Sequence, residues 1–128
     1  MSLSIRNQLP GTVTSVTAGE AMSTVKVRLQ GGQDITAAII TDAVKALVKS
    51  TEVSLATGPV EGISIRNQLA GTVTDVATGG AMGSVKVSVE GGELTAAITK
   101  DAVEALGLTS GSSVVALIKS TEVSLATA

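Results

Sequence analysis

Two segments of the chain alternate apolar and polar residues strictly, which is typical of a β-strand with one buried and one solvated face. They are Thr24–Leu29 (TVKVRL) and residues 84–89 (SVKVSV), and a glycine pair follows each of them. Such a pair supplies the positive φ angles that a tight hairpin needs. The pattern predicts return strands over residues 35–39 and 94–98, earlier strands over residues 11–16 and 71–76, and a last strand over residues 119–125.

The strand pattern occurs twice because the chain contains an internal repeat. Residues 4–9 (SIRNQL) recur at 64–69, an offset of 60. Beyond the glycine pairs the offset falls to 59, since residues 36–39 (TAAI) recur at 95–98. The change of one residue indicates hairpin loops of different length in the two copies.

The two copies differ most near the end of the first. Residues 49–57 (KSTEVSLAT) recur at 119–127, an offset of 70, so the first copy lacks 11 residues. The alignment places the missing segment opposite residues 107–117. We predict two modules, the first of them lacking about 11 residues near 47–48, with bounds of 1–60 and 61–128.

A short helix is predicted in each module, over residues 42–47 and 100–106. Thr99 is placed to cap the second helix, and Gly107 to follow its end. Five short strands and one small helix per module predict a mainly β protein, two tandem OB-like Greek-key barrels. Modules of roughly 60 to 70 residues bury little surface alone, so we expect them to pack on each other and on further chains.

The missing segment aligns with part of an apolar run, residues 114–118 (VVALI), that has the pattern of a buried strand. Without that strand the first barrel stays open, and an open sheet edge is normally covered or paired. We therefore predict that a strand from the second repeat, or from a neighbouring chain, covers this edge. Lys49 would then be displaced relative to Lys119.

The chain has no aromatic residue, no Cys and no His. The core must therefore be aliphatic, and thiol chemistry, histidine-dependent catalysis and the usual zinc, copper and haem sites are excluded. The net charge of -2 and the lack of stacking side chains disfavour nucleic-acid binding. No apolar stretch approaches the ~20 residues of a membrane span, and the N-terminus lacks a signal-peptide pattern. We expect a cytoplasmic, non-enzymatic protein that does not associate with membranes.

Each module groups hydrogen-bond donors that suit an anion. A Ser-x-Arg-Asn motif, a helix N-terminus and a Lys-Ser-Thr motif offer hydroxyls, a guanidinium, an ammonium and free backbone amides. The same residues also fit a strand edge, a helix cap and a solvated surface charge, and the pattern alone favours these structural roles. Glu90 and Glu93 lack the ligand number of a cation loop, and Met22 and Met82 are expected to fill apolar gaps.

Four segments of the second repeat resemble the molbindin (TOBE) module in order and spacing: residues 64–73 (SIRNQLAGTV), 96–99 (AAIT), 106–108 (LGL) and 116–123 (ALIKSTEV). Most of the first repeat matches as well, and two tandem copies resemble the di-domain molbindins. The resemblance implies reversible binding of molybdate or tungstate for intracellular molybdenum storage and homeostasis, without catalysis. It also implies a homo-oligomer, a trimer by preference, that holds the oxyanion between subunits.

The resemblance assigns oxyanion-binding positions in both repeats: Ser64, Ile65 through its backbone, Arg66, Thr99, Lys119 and Ser120 in the second, and Ser4, Ile5, Arg6, Lys49 and Ser50 in the first. Two departures weaken the match. Ile40 stands where Thr99 aligns, and Ala43 and Ala102 stand where related modules can carry a hydroxyl. Some sites therefore depend on backbone amides or are lost. No catalytic residue, cofactor or free metal cation is expected.

Two other functions remain open at this point. Similar modules occur as oxyanion sensors on transporter ATPases and transcription regulators, although the sequence has no ATPase or helix-turn-helix segment. The other alternative is a purely structural oligomerisation module whose donors face water.

Overall fold

The structure is a computed structural model that describes residue 5 and residues 7–17, 24–38 and 45–126. This part of the chain forms ten strands, one α-helix and two single-turn 3-10 helices, at Ser50–Glu52 and Ser120–Glu122. The strands and the α-helix are β1 (Asn7–Thr17), β2 (Thr24–Leu29), β3 (Asp34–Ala37), β4 (Lys45–Val48), β5 (Ser54–Ala56), β6 (Asn67–Gly79), β7 (Met82–Val89), β8 (Gly92–Thr99), α1 (Lys100–Ala105), β9 (Ser113–Ile118) and β10 (Val123–Ala126). The predicted mainly β class is confirmed.

The strands form two five-stranded sheets, ordered β10-β4-β1-β2-β3 and β5-β9-β6-β7-β8. Each sheet includes one strand from the other repeat. β10 lies antiparallel to β4, where Val123 pairs with Val48, and β5 lies antiparallel to β9, where Ser54 pairs with Leu117. The two repeats therefore exchange their last strands reciprocally.

The exchange confirms that a strand of the second repeat covers the edge of the first sheet. The reason given for that prediction was wrong, because the first repeat keeps its buried strand β4. The second repeat, which lacks nothing, also receives a strand from its neighbour. Strand exchange thus belongs to the architecture and does not result from the missing residues.

The position of β4 also changes the alignment of the two repeats. Asn7 pairs with Val48, and its counterpart Asn67 pairs with Ile118. Lys45–Val48 therefore corresponds to residues 115–118, and the 11 absent residues are the counterparts of 104–114. The tripeptide KAL of the first repeat resembles both EAL and VAL in the second, and strand pairing is what decides between them.

The helix predictions have different outcomes in the two repeats. The helix predicted over residues 42–47 is wrong at residues 45–47, because these lie in β4. Residues 42–44 lie outside the described residues. α1 ends one residue before its predicted limit. The Thr99 hydroxyl oxygen caps it by accepting the Ala102 N–H at 3.1 Å, and Gly107 follows with φ at +62°.

The last strand was predicted to begin at Lys119. It begins only at Val123, because Ser120–Glu122 forms a 3-10 turn. The first repeat has the same turn at Ser50–Glu52. Each turn redirects the chain from its own sheet into the other one.

β1 and β6 each pair with two other strands, and this bends both sheets around the core. Residues 7–10 of β1 pair with β4, and from Gly11 onward the strand pairs with β2. A Cβ atom on Gly11 would lie 2.7 Å from the Arg28 carbonyl oxygen, so the close approach of the strands requires glycine. A register shift follows between Val13 and Ser15. β6 repeats this arrangement, and the result is a pair of half-barrels.

The glycine hairpins show the predicted difference in length. Leu29 donates its N–H to the Gln33 carbonyl at 2.7 Å across a three-residue loop, whereas Val89 pairs with Gly92 across two residues. Gly32 and Gly91 have φ of +96° and +78°. The two loops abut, since a Cβ atom on Gly91 would lie 2.6 Å from the Gly31 nitrogen.

One aliphatic core extends through both sheets. Its largest fully buried side chains come from both repeats and include Leu9, Leu29, Ile35, Leu69, Leu94 and Ile118. Because the buried cluster is continuous, the two repeats fold as one unit. The expectation that the modules pack on each other is confirmed.

Two buried asparagines join the repeats. Asn7 and Asn67 are 2% and 3% exposed. The Asn7 side chain accepts the Thr95 N–H at 2.7 Å and donates to the Thr95 carbonyl at 2.9 Å. Asn67 makes the same two bonds with Thr36, at 2.8 and 2.9 Å. Each asparagine therefore fixes a strand of the opposite repeat.

Candidate functional site

The two segments that cross between the sheets have the same backbone geometry. Lys49 has φ -69° and ψ 139°, and Lys119 has φ -66° and ψ 139°. Their carbonyl oxygens accept the N–H groups of Glu52 and Glu122, both at 2.9 Å. The predicted displacement of Lys49 relative to Lys119 is wrong, because β4 is intact and enters its turn as β9 does.

A cavity of about 150 Å³ lies where these crossing segments meet. Two predicted site residues, Ile65 and Lys119, line it. Its position follows from the strand exchange, since the pairing of Ser54 with Leu117 brings the first 3-10 turn beside Lys119. The remaining lining residues were not predicted: Thr51, Glu52, Ser54, Leu117 and Glu122.

The polar groups in this cavity have mixed charge. Lys119 contributes an ammonium group, and Thr51 and Ser54 contribute hydroxyls. Glu52 and Glu122 contribute two carboxylates. Lys119 forms no ion pair with them, because the single ion pair among the described residues joins Arg28 to Asp34. A dianion here would meet more negative than positive charge, so its binding requires further cationic groups from outside the cavity.

The backbone at Ile65 is held by the neighbouring Gln68. The Gln68 Nε2 donates to the Ile65 carbonyl at 3.0 Å, and Gln8 Nε2 donates to the Ile5 carbonyl at the same distance. Both repeats thus have the same hydrogen bond from a glutamine side chain to an isoleucine carbonyl. The N–H is the backbone group of Ile65 that suits an anion, because it is a donor and the carbonyl oxygen is an acceptor.

Three further predicted residues of the second repeat are exposed: Ser64 and Arg66 flank Ile65, and Thr99 ends β8. The Thr99 oxygen accepts the helix-cap bond, so its hydroxyl proton remains available to a ligand. The cavity lining includes none of the three. The structure therefore brings Lys119 and Ile65 to one cavity and does not bring Ser64, Arg66 or Thr99 into its lining.

The Lys-Ser-Thr motifs lie beside strands of the opposite repeat. The Ser120 carbonyl accepts the Ala38 N–H at 3.2 Å, and the first 3-10 turn, which contains Ser50, packs against β8. A site at either motif is therefore built from both repeats, whereas the sequence grouped its residues within one. Five positions named from the sequence lie outside the described residues: Ser4, Arg6, Met22, Ile40 and Ala43.

No role was predicted from the sequence for Glu52, Glu122 or Ser54, although a repeated segment contains them. The repeated segment KSTEVSLAT contains all of these positions or their counterparts, but only its first residues were assigned a role. Within the described ranges, no three His, Cys, Asp or Glu side chains are grouped to hold a metal ion. No helix in this part of the chain has the length and apolar character to cross a membrane.

The sequence of this chain is similar to those of known proteins over nearly its whole length. The TOBE domain model matches residues 3–56 and 63–125. The molybdenum transport protein ModE of Azotobacter vinelandii is 37% identical over 98% of this chain and 51% of its own length. The molybdenum-pterin-binding protein MopB of Rhodobacter capsulatus is 38% identical over 96% of this chain and 50% of its own length. The chain spans about half the length of these curated relatives.

The fold has a full-length counterpart among solved structures. The cytoplasmic molybdate-binding protein ModG, solved with molybdate bound, superposes with a TM-score of 0.92 at 34% identity, and the match covers 100% of both chains. The tandem two-repeat form is thus shared by sequence and by structure. The chain belongs to the TOBE domain family, as its resemblance to the molbindins predicted.

Proposed function

We propose that the protein binds molybdate or tungstate reversibly and thereby serves intracellular molybdenum storage and homeostasis. The full-length match to a molybdate-bound protein carries this proposal. The names of ModE and MopB, which refer to molybdenum, support it. In this role the protein holds an oxyanion through hydrogen bonds and charge and catalyses no reaction.

The proposed site combines Lys119 and the Ile65 N–H with the neighbouring donors Ser64 and Arg66, and with Thr99 and Ser120. The cavity has two carboxylates and one ammonium group, so one chain alone does not supply enough positive charge to complete an anion site. Arg66 is exposed and does not line the cavity, so it would supply a second cationic group at the protein surface. We therefore propose that the sites form between subunits of a homo-oligomer, a trimer by resemblance to the molbindins.

The first repeat would supply the equivalent residues Ser4, Ile5, Arg6, Lys49 and Ser50 within a module of residues 1–60, and the second would span 61–128. The matching geometry of Lys49 and Lys119 supports equivalent roles for the two lysines. Ile40 replaces Thr99 in the first repeat, which removes one hydroxyl donor. We propose that this repeat contributes the weaker sites.

A second candidate function is oxyanion sensing within a larger regulatory protein. The observation in its favour is that the chain covers only about half of ModE. Both candidates need the same anion site, whereas a purely structural oligomerisation module needs none.

Thermal denaturation in the presence of four anions tests the proposal. Molybdate and tungstate should each stabilise the fold, by ~2.7 kcal/mol at a hundredfold excess over the dissociation constant. Sulfate and phosphate at equal ionic strength should do so much less. Equal shifts with all four anions would indicate a nonspecific charge effect and would contradict the proposed function.

A further inference from the structure

Both halves of the proposed anion site lie just beyond the end of one strand pair. β6 and β9 pair antiparallel, and their ladder ends where Asn67 faces Ile118. Ile65 lies two residues before Asn67, and Lys119 directly follows Ile118. The hydrogen bonds of the ladder therefore do not join Ile65 to Lys119. The relative position of these two residues depends on contacts with other elements.

The end of strand β3, which belongs to the first repeat, contacts both halves. The Asn67 side chain accepts the Thr36 N–H at 2.8 Å and donates to the Thr36 carbonyl at 2.9 Å. Two residues later, the Ala38 N–H donates to the Ser120 carbonyl at 3.2 Å. Asn67 belongs to the Ser-x-Arg-Asn half of the site, and Ser120 belongs to the Lys-Ser-Thr half. One short segment of the first repeat therefore binds both halves.

These hydrogen bonds lie along one edge of β3. β3 is the last strand of its sheet in the described part of the chain, and β2 is its neighbour in that sheet. The backbone groups of residues two positions apart in a strand point to the same side. Since Thr36 binds Asn67, the N–H of Ala38 also points away from β2 and toward the second repeat. The outer edge of β3 therefore connects the two halves of the site.

The Asn67 contact is buried and has a counterpart in the first repeat. Asn67 is 3% exposed, and both polar groups of its side chain are bonded. A buried contact with two hydrogen bonds favours one geometry, because a displacement leaves its polar groups without partners. Asn7 binds Thr95 of β8 in the same way, and the first 3-10 turn packs against β8. A strand of the opposite repeat thus lies beside each Lys-Ser-Thr motif.

We propose that Asn67 is a positioning residue for oxyanion binding. Through β3 it holds the Ile65 N–H and the backbone of Lys119 at the separation that the anion requires. This inference rests on the proposed function and adds to the site a residue that touches no ligand. Donors that are fixed before binding lose less conformational freedom when the ligand arrives. The backbone position of Lys119 matters because, among the described residues, its ammonium group forms no ion pair that would orient it.

Two variants of the full chain break the two connections separately. Asn67→Ala removes both hydrogen bonds to Thr36. Ala38→Pro removes the N–H that binds the Ser120 carbonyl, at a strand edge, where proline is tolerated. Ala38→Pro changes no residue of the proposed site, so its effect on Ile65 passes through β3 and Asn67.

NMR spectra report the effect with and without molybdate. In the free Ala38→Pro variant the Ile65 amide signal should show exchange broadening, because its segment is no longer held in one position. In free Asn67→Ala the Lys119 amide signal should broaden for the same reason. Molybdate titrations followed at both amides should give an affinity lowered roughly tenfold in each variant, the lower end of the effect of losing a partner that orients metal ligands.

Val87→Ala is the control for a loss of stability alone. Val87 is fully buried in β7, which pairs with β6 and β8. This variant should unfold at a lower temperature but keep the molybdate affinity of the unaltered chain. Sharp amide signals with undiminished affinity in both Asn67→Ala and Ala38→Pro would overturn the positioning role. So would an equal loss of affinity in Val87→Ala. If the unaltered chain binds no molybdate, the proposed function fails, and the amide signals of the free variants still decide whether Asn67 positions these segments.

Discussion

The side chain of Asn7 and the backbone of Thr95 form a two-point contact between the repeats. The Asn7 Oδ1 accepts the Thr95 N–H at 2.7 Å and its Nδ2 donates to the Thr95 carbonyl at 2.9 Å. Asn67 repeats the contact with Thr36. The asparagine of each Ser-x-Arg-Asn motif therefore holds the two repeats together.

Asn67→Ala should lower the free energy of unfolding by about 1 to 3 kcal/mol, because it leaves the partly buried backbone N–H and carbonyl of Thr36 without these partners. Urea denaturation measures the change. Gln68→Ala is the matched control, since it removes an exposed hydrogen bond from the adjacent position. Equal losses in both variants would show that the buried contact has no special role.

Gly91→Ala should destabilise the protein more than Gly80→Ala. Both glycines have positive φ, at +78° and +59°, which costs an alanine roughly 1 to 2 kcal/mol. A Cβ atom on Gly91 would also lie 2.6 Å from the Gly31 nitrogen, whereas one on Gly80 would meet nothing within 4 Å. Thermal denaturation of the two variants gives the comparison. A smaller loss for Gly91→Ala would mean that the two hairpin loops do not abut.

Val53→Ala and Val123→Ala should destabilise the fold by similar amounts, about 1 to 3 kcal/mol each. Each valine is 2% exposed and lies where the chain crosses from one sheet to the other. Ser124→Ala, at the exposed position after Val123, should change stability little. If only Val123→Ala were damaging, the exchange of strands would not be reciprocal in solution.

Much of the fold could be predicted from the sequence because its signals are local. The alternation in Thr24–Leu29 identified β2, and the glycine pairs located both hairpins. Strand exchange could not be predicted in its reciprocal form, because the two copies of STEVSLAT are identical. Nothing in that segment specifies which sheet receives it, and the choice depends on the packing of the whole chain.

The candidate site was predictable only in part for the same reason. Lys119 and Ile65 follow from the family motif, and the structure brings them to one cavity. Glu52 reaches that cavity from the other repeat, which sequence spacing cannot indicate. The missing residues were misplaced because KAL fits two positions of the second repeat equally well.

Lys119→Ala and Arg66→Ala should each weaken molybdate binding by about 1.5 to 3 kcal/mol, the range for hydrogen bonds to charged groups. Lys86→Ala is the matched control, because Lys86 is an exposed lysine on β7 outside the proposed site. Competition with a labelled oxyanion would give the affinities. Unchanged affinity in both site variants would refute the assignment of these residues.

Isothermal titration calorimetry of the full chain with molybdate tests the central claim most directly. We predict saturable heat with a fixed number of ions per chain, full competition by tungstate, and little effect of sulfate at the same concentration. Titrations that never saturate, or that sulfate abolishes as effectively as tungstate, would contradict specific oxyanion binding by this protein.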